Sequence, residues 1–346
     1  MKITTIGMDL AKNVIQVHGV DAHGKSALRK QLKRNQVLPF FANLEACLVG
    51  MEACGSAHHW ARKLAKLGHT VKLMAPQFVK PYVKTNKNDA ADAEAICEAV
   101  RRPNMRFVPL KSAEQQGVLA LHRARQGFVK ARTAQANQIR GLLSEFGIVI
   151  AQGIRQITKR LPEILEDGEN GLPGRFRRLL QRLSEQLQVL DRQVGELEGE
   201  IQLWHRDNEA SLKLAAIPGI GPITASALVA STGDAKNFDN ARQFAAWVGL
   251  VPRQHSSGGK PTLLGISKRG DVYLRTLLIH GARAVIRHLQ RRAQQPDSWL
   301  KRLLGRRNKN VAAVALANKN ARIAWALLAH DREFRPDYMP AAAAAQ

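Results

Sequence analysis

Short apolar runs and polar turns alternate along the first third of the chain. Runs rich in β-branched residues at 3–10, 14–20, 47–52 and 70–74 predict strands, and the polar segment 21–25 predicts a hairpin turn into a further strand. Helical spacing predicts helices at about 36–44 and 56–67. A meander of strands followed by strands that alternate with helices predicts a mixed sheet with helices packed against it. We assign this α/β domain to residues 1–108.

The hydrophobic period changes in the middle of the chain. Apolar residues step by four and three in alternation along one long helix, as in a heptad seam. The seam comprises Phe176, Leu180, Leu183, Leu187, Leu190, Val194, Leu197, Ile201 and Trp204. We expect a helix at 113–145 to be its partner, folded back through a loop at 161–174 that carries helix breakers at both ends. Residues 109–206 are therefore predicted to form a long antiparallel coiled coil.

A third region begins near residue 207. A turn at 218–221 lies between two predicted helices, which is the pattern of a helix-hairpin-helix. Gly219 and Gly221 allow a phosphate to approach the backbone, and the following helix offers free N–H groups. The alternative is a tight turn that serves helix packing alone. We expect residues 207–346 to form a mostly helical domain.

The composition indicates a polyanionic partner. The 346 residues include 53 lysines and arginines against 28 aspartates and glutamates, which gives a formal net charge of +25. We expect nucleic acid to be that partner. No apolar run reaches the roughly 18 residues of a membrane-spanning helix, and the N-terminus lacks a signal-peptide pattern. We therefore expect a cytoplasmic protein with no membrane partner. The three cysteines form no paired motif and support neither a zinc site nor a disulfide framework.

Four carboxylates occupy positions that suit a metal site. Asp9 lies in the first predicted strand and Glu52 ends another. Asp89 and Asp92 follow Asn88 at a predicted helix start, and their spacing of three puts both on one helix face. Converging carboxylates need compensation, and Mg²⁺ or Mn²⁺ takes oxygen ligands and supports phosphoryl transfer. Taken singly, Asp9 also fits a turn cap, Glu52 fits a pair with a lysine, and Asp89 and Asp92 fit a helix-dipole contact.

A serine and glycine segment at 255–260 lies among basic residues. We expect a flexible loop there, followed by a helix that presents further arginines. The basic residues that we expect to contact nucleic acid here are Arg253, Lys260, Lys268, Arg269 and Arg275. A serine in such a loop is ordinarily a turn residue. Beside cations it also fits a nucleophile that attacks a phosphodiester, because the cations stabilise the charge that develops on phosphorus. Spacing alone does not choose between the two.

Seven short motifs stand in the order found in one known family. They are Gly7-Met8-Asp9, Met51-Glu52-Ala53-Cys54-Gly55, Lys87-Asn88-Asp89-Ala90-Ala91-Asp92-Ala93, Ile217-Pro218-Gly219-Ile220-Gly221, Arg242-Gln243-Phe244-Ala245-Ala246, Gly249-Leu250-Val251-Pro252-Arg253 and Ser257-Gly258. On these motifs, almost the whole chain resembles the bridge-RNA-guided transposases of bacterial insertion sequences, which are relatives of the Piv-type DNA invertases. The resemblance predicts a DNA transposase or site-specific recombinase.

The resemblance implies an RNase H-like (RuvC-like) N-terminal domain in which Asp9, Glu52, Asp89 and Asp92 hold Mg²⁺ or Mn²⁺. It implies that Ser257 attacks a DNA phosphodiester and forms a covalent phosphoserine link before strand exchange. Ser256 precedes it, and either hydroxyl fits the role. The family also implies donor and target DNA, a guide RNA that pairs with both, and a homo-oligomer. In that dimer or tetramer, the acids of one subunit meet the serine of another.

Two other functions fit parts of the sequence. A metal-only nuclease or Holliday-junction resolvase would use the acids and a water molecule, with Ser257 as a bystander. A non-catalytic architectural protein would use the positive charge and the glycine turn alone. Carboxylates are poor choices for a surface that only holds phosphate, so the acidic quartet argues against the architectural function.

Overall fold

The computed structural model of the chain describes residues 2–84, 88–291 and 298–336. These residues fall into two compact units, Met1–Gln115 and Gln116–Gln346. The predicted division into three domains, with boundaries after residues 108 and 206, remains a prediction.

The first unit is an α/β fold. Its strands are β1 (Thr5–Leu10), β2 (Val14–Val20), β3 (Ser26–Lys33), β4 (Leu48–Glu52), β5 (Thr70–Met74) and β6 (Phe107–Val108). Its helices are α1 (Val37–Ala42), α2 (Ala57–Lys66), α3 (Pro76–Val79) and α4 (Asp89–Val100), with short 3₁₀ helices at Arg34–Gln36 and Lys80–Tyr82. Helix α5 (Ala113–Ser144) begins in this unit and continues into the second.

The six strands described for this unit form one mixed sheet in the order β3-β2-β1-β4-β5-β6. The pairs β1/β2, β2/β3 and β5/β6 are antiparallel, whereas β1/β4 and β4/β5 are parallel. Alternate residues of each strand point to opposite faces of the sheet. Ile6, Met8 and Met51 therefore share a buried core with α1 and α2 on one face. The predicted mixed sheet with packed helices is confirmed.

Helix α4 covers the other face of the sheet and requires glycine beneath it. A Cβ built on Gly7 would lie 2.1 Å from the carbonyl oxygen of Ala93, and one on Gly50 would lie 2.7 Å from Cβ of Val100. Real Cβ atoms do not come so close, so only glycine lets α4 approach β1 and β4 at this distance. Asp9 and Glu52 lie two residues further along the same strands and hence on the same face as α4.

The second unit is mostly helical, as predicted. After α5 come α6 (Ile154–Glu166), α7 (Gly174–Asp207), α8 (Glu209–Ala215), α9 (Pro222–Thr232), a 3₁₀ helix (Ala235–Asn237), α10 (Ala241–Val248), β7 (Pro252–Gln254), β8 (Leu263–Ile266), α11 (Val272–Arg291), α12 (Trp299–Arg306) and α13 (Lys309–His330). Phe244, Leu278 and Ala317 belong to the core that α10, α11 and α13 share. No helix in the described ranges combines the length and the apolarity needed to cross a membrane.

The predicted heptad seam forms the inner face of α7. Its residues are buried or half-buried, and the remaining positions of the helix are largely exposed. Polar contacts place α5 alongside in the opposite direction, since Arg125 pairs with Glu198 and Arg132 pairs with Asp191. Supercoiling of this pair into a coiled coil stays a prediction.

The predicted loop at 161–174 is partly wrong. Pro162 lies inside α6 instead of ending a helix. A proline removes one backbone hydrogen bond and ordinarily breaks a helix interior. Here Ile157, Leu161 and Ile164 are buried in the core shared with α5 and α7. That burial offsets the missing bond, because each buried aliphatic side chain contributes about 1.5–3 kcal/mol.

Candidate active site

The first two predicted acids stand at adjacent strand ends. Strands β1 and β4 are parallel, and Met8 pairs with Met51, so Asp9 and Glu52 occupy the next position on each strand. Neighbouring strands lie about 4.8 Å apart, which brings the two carboxylates into one neighbourhood. Burial raises the pKa of the Cys54 thiol, and the negative charges of Glu52 and Asp9 raise it further. Both carboxylates therefore act on the same thiol.

The other two acids open helix α4. Asn88 caps this helix, because its side chain accepts a hydrogen bond of 2.8 Å from the backbone N–H of Ala91. Asp89 and Asp92 lie in the first turn, where the partial positive charge of the helix end favours carboxylates. The predicted N-cap and the helix start at Asp89 are thereby confirmed as local structure.

The path of α4 over β1 carries its N-terminus towards Asp9. The thiol of Cys97 lies 3.8 Å from the carbonyl oxygen of Thr5, and Ala93 lies over Gly7. Going back along the helix from Cys97 to Ala93 thus corresponds to going forward along β1 from Thr5 to Gly7. Asp92 directly precedes Ala93, Asp89 lies one further turn back, and two further residues along β1 reach Asp9. The first turn of α4, which carries Asp89 and Asp92, therefore lies towards the same end of the sheet as Asp9 and Glu52.

The four carboxylates suit a hard divalent cation chemically. Mg²⁺ and Mn²⁺ prefer carboxylate oxygens, and every predicted ligand supplies one. Among the residues that the structure describes, no three acidic, histidine or cysteine side chains are close enough together to hold a metal ion. The fold thus brings Asp9 and Glu52 to neighbouring strand positions and starts α4, with Asp89 and Asp92, at the same end of the sheet.

The candidate serine lies at the tip of a hairpin in the second unit. Strands β7 and β8 are antiparallel, and the backbone N–H of His255 donates to the carbonyl of Thr262 beyond them. At the tip, Ser257 forms a bridge with Lys260, whose N–H donates to the Ser257 carbonyl at 3.1 Å. The predicted loop is therefore the tip of a hydrogen-bonded hairpin, and its flexibility stays a prediction.

The tip has this form because of its two consecutive glycines. Gly258 and Gly259 both have positive φ, 55° and 76°. A two-residue turn of type I′ needs positive φ at both central positions, and its twist matches that of the flanking strands. The result is a regular, exposed turn that carries Ser257 on one side and Lys260 on the other.

Ser256 and Ser257 differ in their surroundings. The amide nitrogen of Gln254 donates to the hydroxyl of Ser256 at 2.9 Å. The contacts described for Ser257 are made by its backbone, in the bridge with Lys260. This arrangement engages Ser256 in the hairpin itself.

Four of the five basic residues predicted near the serine are exposed: Arg253, Lys260, Lys268 and Arg269. The fifth, Arg275, is only 8% exposed. Its guanidinium donates to the carbonyl of Val248 at 3.0 Å and holds the end of α10. The prediction that α11 presents Arg275 at its surface is wrong, because this side chain points inward to an otherwise open helix end.

The predicted glycine turn does join two helices, α8 and α9. Gly219 has a φ of 91°, and its Cβ would lie 3.0 Å from the carbonyl oxygen of Gly281 in α11. Packing against α11 therefore accounts for Gly219. Gly221 is exposed with open space around it and precedes the first residue of α9. Phosphate contact at this helix start stays a prediction.

A buried polar network that was not predicted links three helices of the second unit. His122 of α5 is 1% exposed and lies between the hydroxyls of Tyr273 in α11, 3.0 Å from Nδ1, and Ser226 in α9, 3.1 Å from Nε2. Ser226 donates to the carbonyl of Pro222, so it accepts from Nε2–H while Nδ1 accepts from Tyr273. Burial lowers the pKa of His122 to about 4, with a smaller effect of Arg125. The neutral ring thus satisfies every group in the network.

Two family models match the chain. One, described as "Transposase IS116/IS110/IS902 family", covers residues 211–297, which include the glycine turn and the serine hairpin. The other, a DEDD model of the IS110 type described as "Transposase", covers residues 6–148 and with them all four acids.

Several relatives are similar over nearly their whole length. A probable family 20 transposase of Pseudomonas aeruginosa is 57% identical over 97% of this chain and 100% of its own. The transposase for insertion sequence element IS1111A of Coxiella burnetii is 48% identical over 96% of this chain and 92% of its own. The transposase for insertion sequence element IS1328 of Yersinia enterocolitica is 48% identical over 93% of this chain and 96% of its own.

These matches define a transposase, an enzyme that cuts and rejoins DNA. The chain belongs to the IS116/IS110/IS902 family of insertion-sequence transposases. The six-stranded mixed sheet described above is consistent with an RNase H-like DEDD domain.

Proposed function

We propose that this transposase cuts DNA through direct attack of the Ser257 hydroxyl on a phosphodiester. The observation that carries the proposal is the β7–β8 hairpin, whose regular turn places Ser257 at an exposed tip opposite Lys260. A hydrogen-bonded hairpin holds a nucleophile in a defined orientation, and an exposed tip lets a DNA backbone reach it. The engagement of Ser256 by Gln254 favours Ser257 over its neighbour.

In the proposed step, Oγ of Ser257 loses its proton and forms a bond to phosphorus. The bond between phosphorus and the leaving sugar oxygen breaks, and that oxygen takes up a proton. Lys260 stabilises the negative charge that develops on the phosphate oxygens. In the reverse direction, a sugar hydroxyl of a second strand attacks the phosphoserine and releases Ser257. Each step forms one ester bond and breaks one, so no external energy source is needed.

The same proposal assigns a divalent cation, Mg²⁺ or Mn²⁺, to Asp9, Glu52, Asp89 and Asp92. When bound, such an ion helps to activate the attacking hydroxyl and offsets phosphate charge. The strand ends and the helix start support this assignment, because the residues that carry these four oxygen donors lie at one end of the sheet. Replacing one donor, as in Asp9→Asn, should abolish cleavage while leaving DNA binding equal or tighter, since one repulsive charge is removed.

Donor and target DNA would be held by the exposed cations around the hairpin, Arg253, Lys260, Lys268 and Arg269, and by the start of α9 at Gly221. Contacts of this kind fix the DNA backbone without reading its sequence. A guide RNA that pairs with both DNAs would supply the sequence selection. The net charge of +25 supports more than one bound nucleic-acid strand.

We further propose a dimer or tetramer in which the acids of one subunit serve the serine of another. Asp9 and Ser257 belong to different compact units, so one active centre can draw them from different chains. Mixing Asp9→Asn protein with Ser257→Ala protein tests this directly. Shared centres restore part of the activity, since one combination in the mixed oligomer holds both intact groups, whereas centres built within one chain stay inactive.

A metal-only nuclease is the second candidate, because Asp9 and Glu52 at adjacent strand ends would also suit hydrolysis by water. One experiment separates the two functions. The protein is prepared with its own flanking DNA and RNA, incubated with labelled donor and target DNA and Mg²⁺, and run on a denaturing gel. The serine mechanism predicts a protein–DNA adduct in the wild type and in Ser256→Ala but not in Ser257→Ala. Cleavage without adduct that persists in Ser257→Ala would establish the nuclease.

A further inference from the structure

The acids belong to a longer row of polar side chains on their face of the sheet. Asp9 pairs with Gln16 of β2, and Gln16 pairs with Gln31 of β3, so the three side chains stand next to one another across three strands. Glu52 extends the row on the other side, on β4. We call Gln31, Gln16, Asp9 and Glu52 the polar row.

Helix α4 leaves the polar row open. Two residues away on β1 and β2, and so on the same face, Gly7 pairs with His18 beneath the helix: Gly7 contacts Ala93, and His18 is buried. In the polar row itself, Asp9, Gln16 and Glu52 are half-exposed and Gln31 is exposed. Within the part of the chain that the structure describes, each of these four side chains therefore keeps some surface that a ligand can reach.

The charges at this end of the sheet change sign along the row. Asp9 and Glu52 stand at one end, and at the other end Gln31 shares β3 and one face of the sheet with the exposed Lys33, two residues further on. Lys33 ends β3, and Arg34 follows it and donates to the carbonyl of Lys12 in the β1–β2 turn at 3.2 Å. The two glutamines occupy the space between. An amide donates to phosphate or sugar oxygens and carries no charge that would repel a phosphate or pair with a neighbouring carboxylate.

We propose that Gln16 and Gln31 hold one strand of the DNA on the sheet face, with Lys33 at its outer end, while the phosphodiester to be cut lies at Asp9 and Glu52. This inference rests on the proposed function, because it places the reacting DNA at the acids. From Glu52 to Gln31 the row crosses three strand spacings, about 14 Å. That length accommodates more than one nucleotide, so the row orients the strand as well as binding it.

The neighbouring residue on β3 provides a matched control. Lys30 lies beside Gln31 in sequence but points to the opposite face, where its ammonium is 5.5 Å from the centre of the Phe40 ring. If only the general positive charge of β3 attracts DNA, loss of Lys30 should weaken binding more than loss of a neutral glutamine. If the face matters, the order is reversed.

The test measures the affinity of full-length protein for a fluorescent single-stranded DNA of mixed sequence, without divalent metal, at several salt concentrations. The variants are Gln16→Thr, Gln31→Thr, Lys33→Thr and the control Lys30→Thr. Threonine suits strands but is too short to replace the contact. Each glutamine variant should weaken binding about tenfold without changing the salt dependence. Lys33→Thr should also lower the slope of log affinity against log salt by about one, and Lys30→Thr should bind DNA nearly as the wild type does.

Unchanged DNA affinity in both glutamine variants would overturn the inference, and so would an equal loss of affinity in Lys30→Thr. An RNA strand of the same sequence serves as a second probe, and a loss of affinity for this RNA alone would also overturn it. Thermal unfolding checks each variant. Gln31 is exposed on an edge strand, so Gln31→Thr keeps the test valid even if Gln16→Thr unfolds. Because the assay needs neither metal nor cleavage, its result is independent of the serine adduct. If the wild type forms the adduct but the glutamine variants bind DNA with unchanged affinity, only the proposed role of the polar row is refuted. If the glutamine variants bind DNA more weakly but the wild type forms no adduct, only the serine mechanism is refuted.

Discussion

Protonation of His122 should destabilise the second unit in mild acid. Burial lowers the pKa of this histidine from 6.5 to about 4. The unfolded chain therefore binds a proton between these values that the folded chain does not bind, and the stability present above pH 6.5 is lost as the pH falls towards 4. A difference of this size corresponds to roughly 3 kcal/mol at 1.36 kcal/mol per unit. The protonated ring also could not accept the bond from Tyr273.

Urea unfolding at a series of pH values, followed by tryptophan fluorescence, measures this loss. Four of the chain's five tryptophans, Trp204 and Trp247 among them, belong to the second unit. The fluorescence therefore reports mainly on the unit that holds His122. The stability difference between wild type and His122→Gln should shrink as the pH falls from 6.5 to 4. The exposed His280 provides the control, and His280→Gln should keep the wild-type pH dependence. A constant difference between wild type and His122→Gln would refute the reasoning.

Three further outcomes follow from the packing and charges. Gly7→Ala should destabilise the first unit by about 3 kcal/mol or more, because its Cβ would strike the backbone of α4, whereas Gly55→Ala, with open space around it, should leave the melting temperature nearly unchanged. Burial and the charges of Glu52 and Asp9 raise the pKa of Cys54, so Asp9→Asn should lower that pKa and speed alkylation by iodoacetamide at mildly alkaline pH. An unchanged rate would show that the carboxylate lies elsewhere. Arg275→Met should cost about 1–3 kcal/mol of stability by freeing a buried carbonyl without altering the salt dependence of DNA binding.

Local patterns were sufficient where neighbouring residues decide the structure. The predicted strands at 14–20 and 70–74 agree with Val14–Val20 and Thr70–Met74, because alternating side chains and flanking turns define them. The acid positions followed in the same way from strand ends and from Asn88 as a cap. That Asp9 and Glu52 stand side by side required the parallel pairing of β1 with β4, which no local pattern contains.

Contacts between distant residues explain what sequence reasoning missed. Pro162 suggested a break, but the core around Leu161 overrides this local preference. Arg275 looked like a surface residue until its partner, the carbonyl of Val248, was known. His122 pairs with Tyr273, 151 positions away. The sequence did contain one sign that His122 is buried. His122 follows Val118 by four residues, so both fall on the same face of α5, which is the buried one.

The serine hairpin shows a different limit. Its strands are short and exposed, so they carry no hydrophobic alternation that would predict them. Two adjacent glycines between polar runs are a hairpin signal in themselves, because they permit positive φ at both turn positions. That signal was present at Gly258 and Gly259.

Identification of the residue that bonds to DNA tests the central proposal most directly. Wild-type protein is reacted with donor and target DNA in the presence of its RNA and Mg²⁺, the DNA is trimmed by nuclease, and the protein is digested for mass spectrometry. The serine mechanism predicts a nucleotide joined through phosphate to the peptide that contains Ser257, with fragmentation that places it on that residue. A nucleotide on Ser256 would move the chemistry to the neighbouring hydroxyl. Cleaved DNA with no modified peptide would contradict the account and leave hydrolysis at the acids as the mechanism.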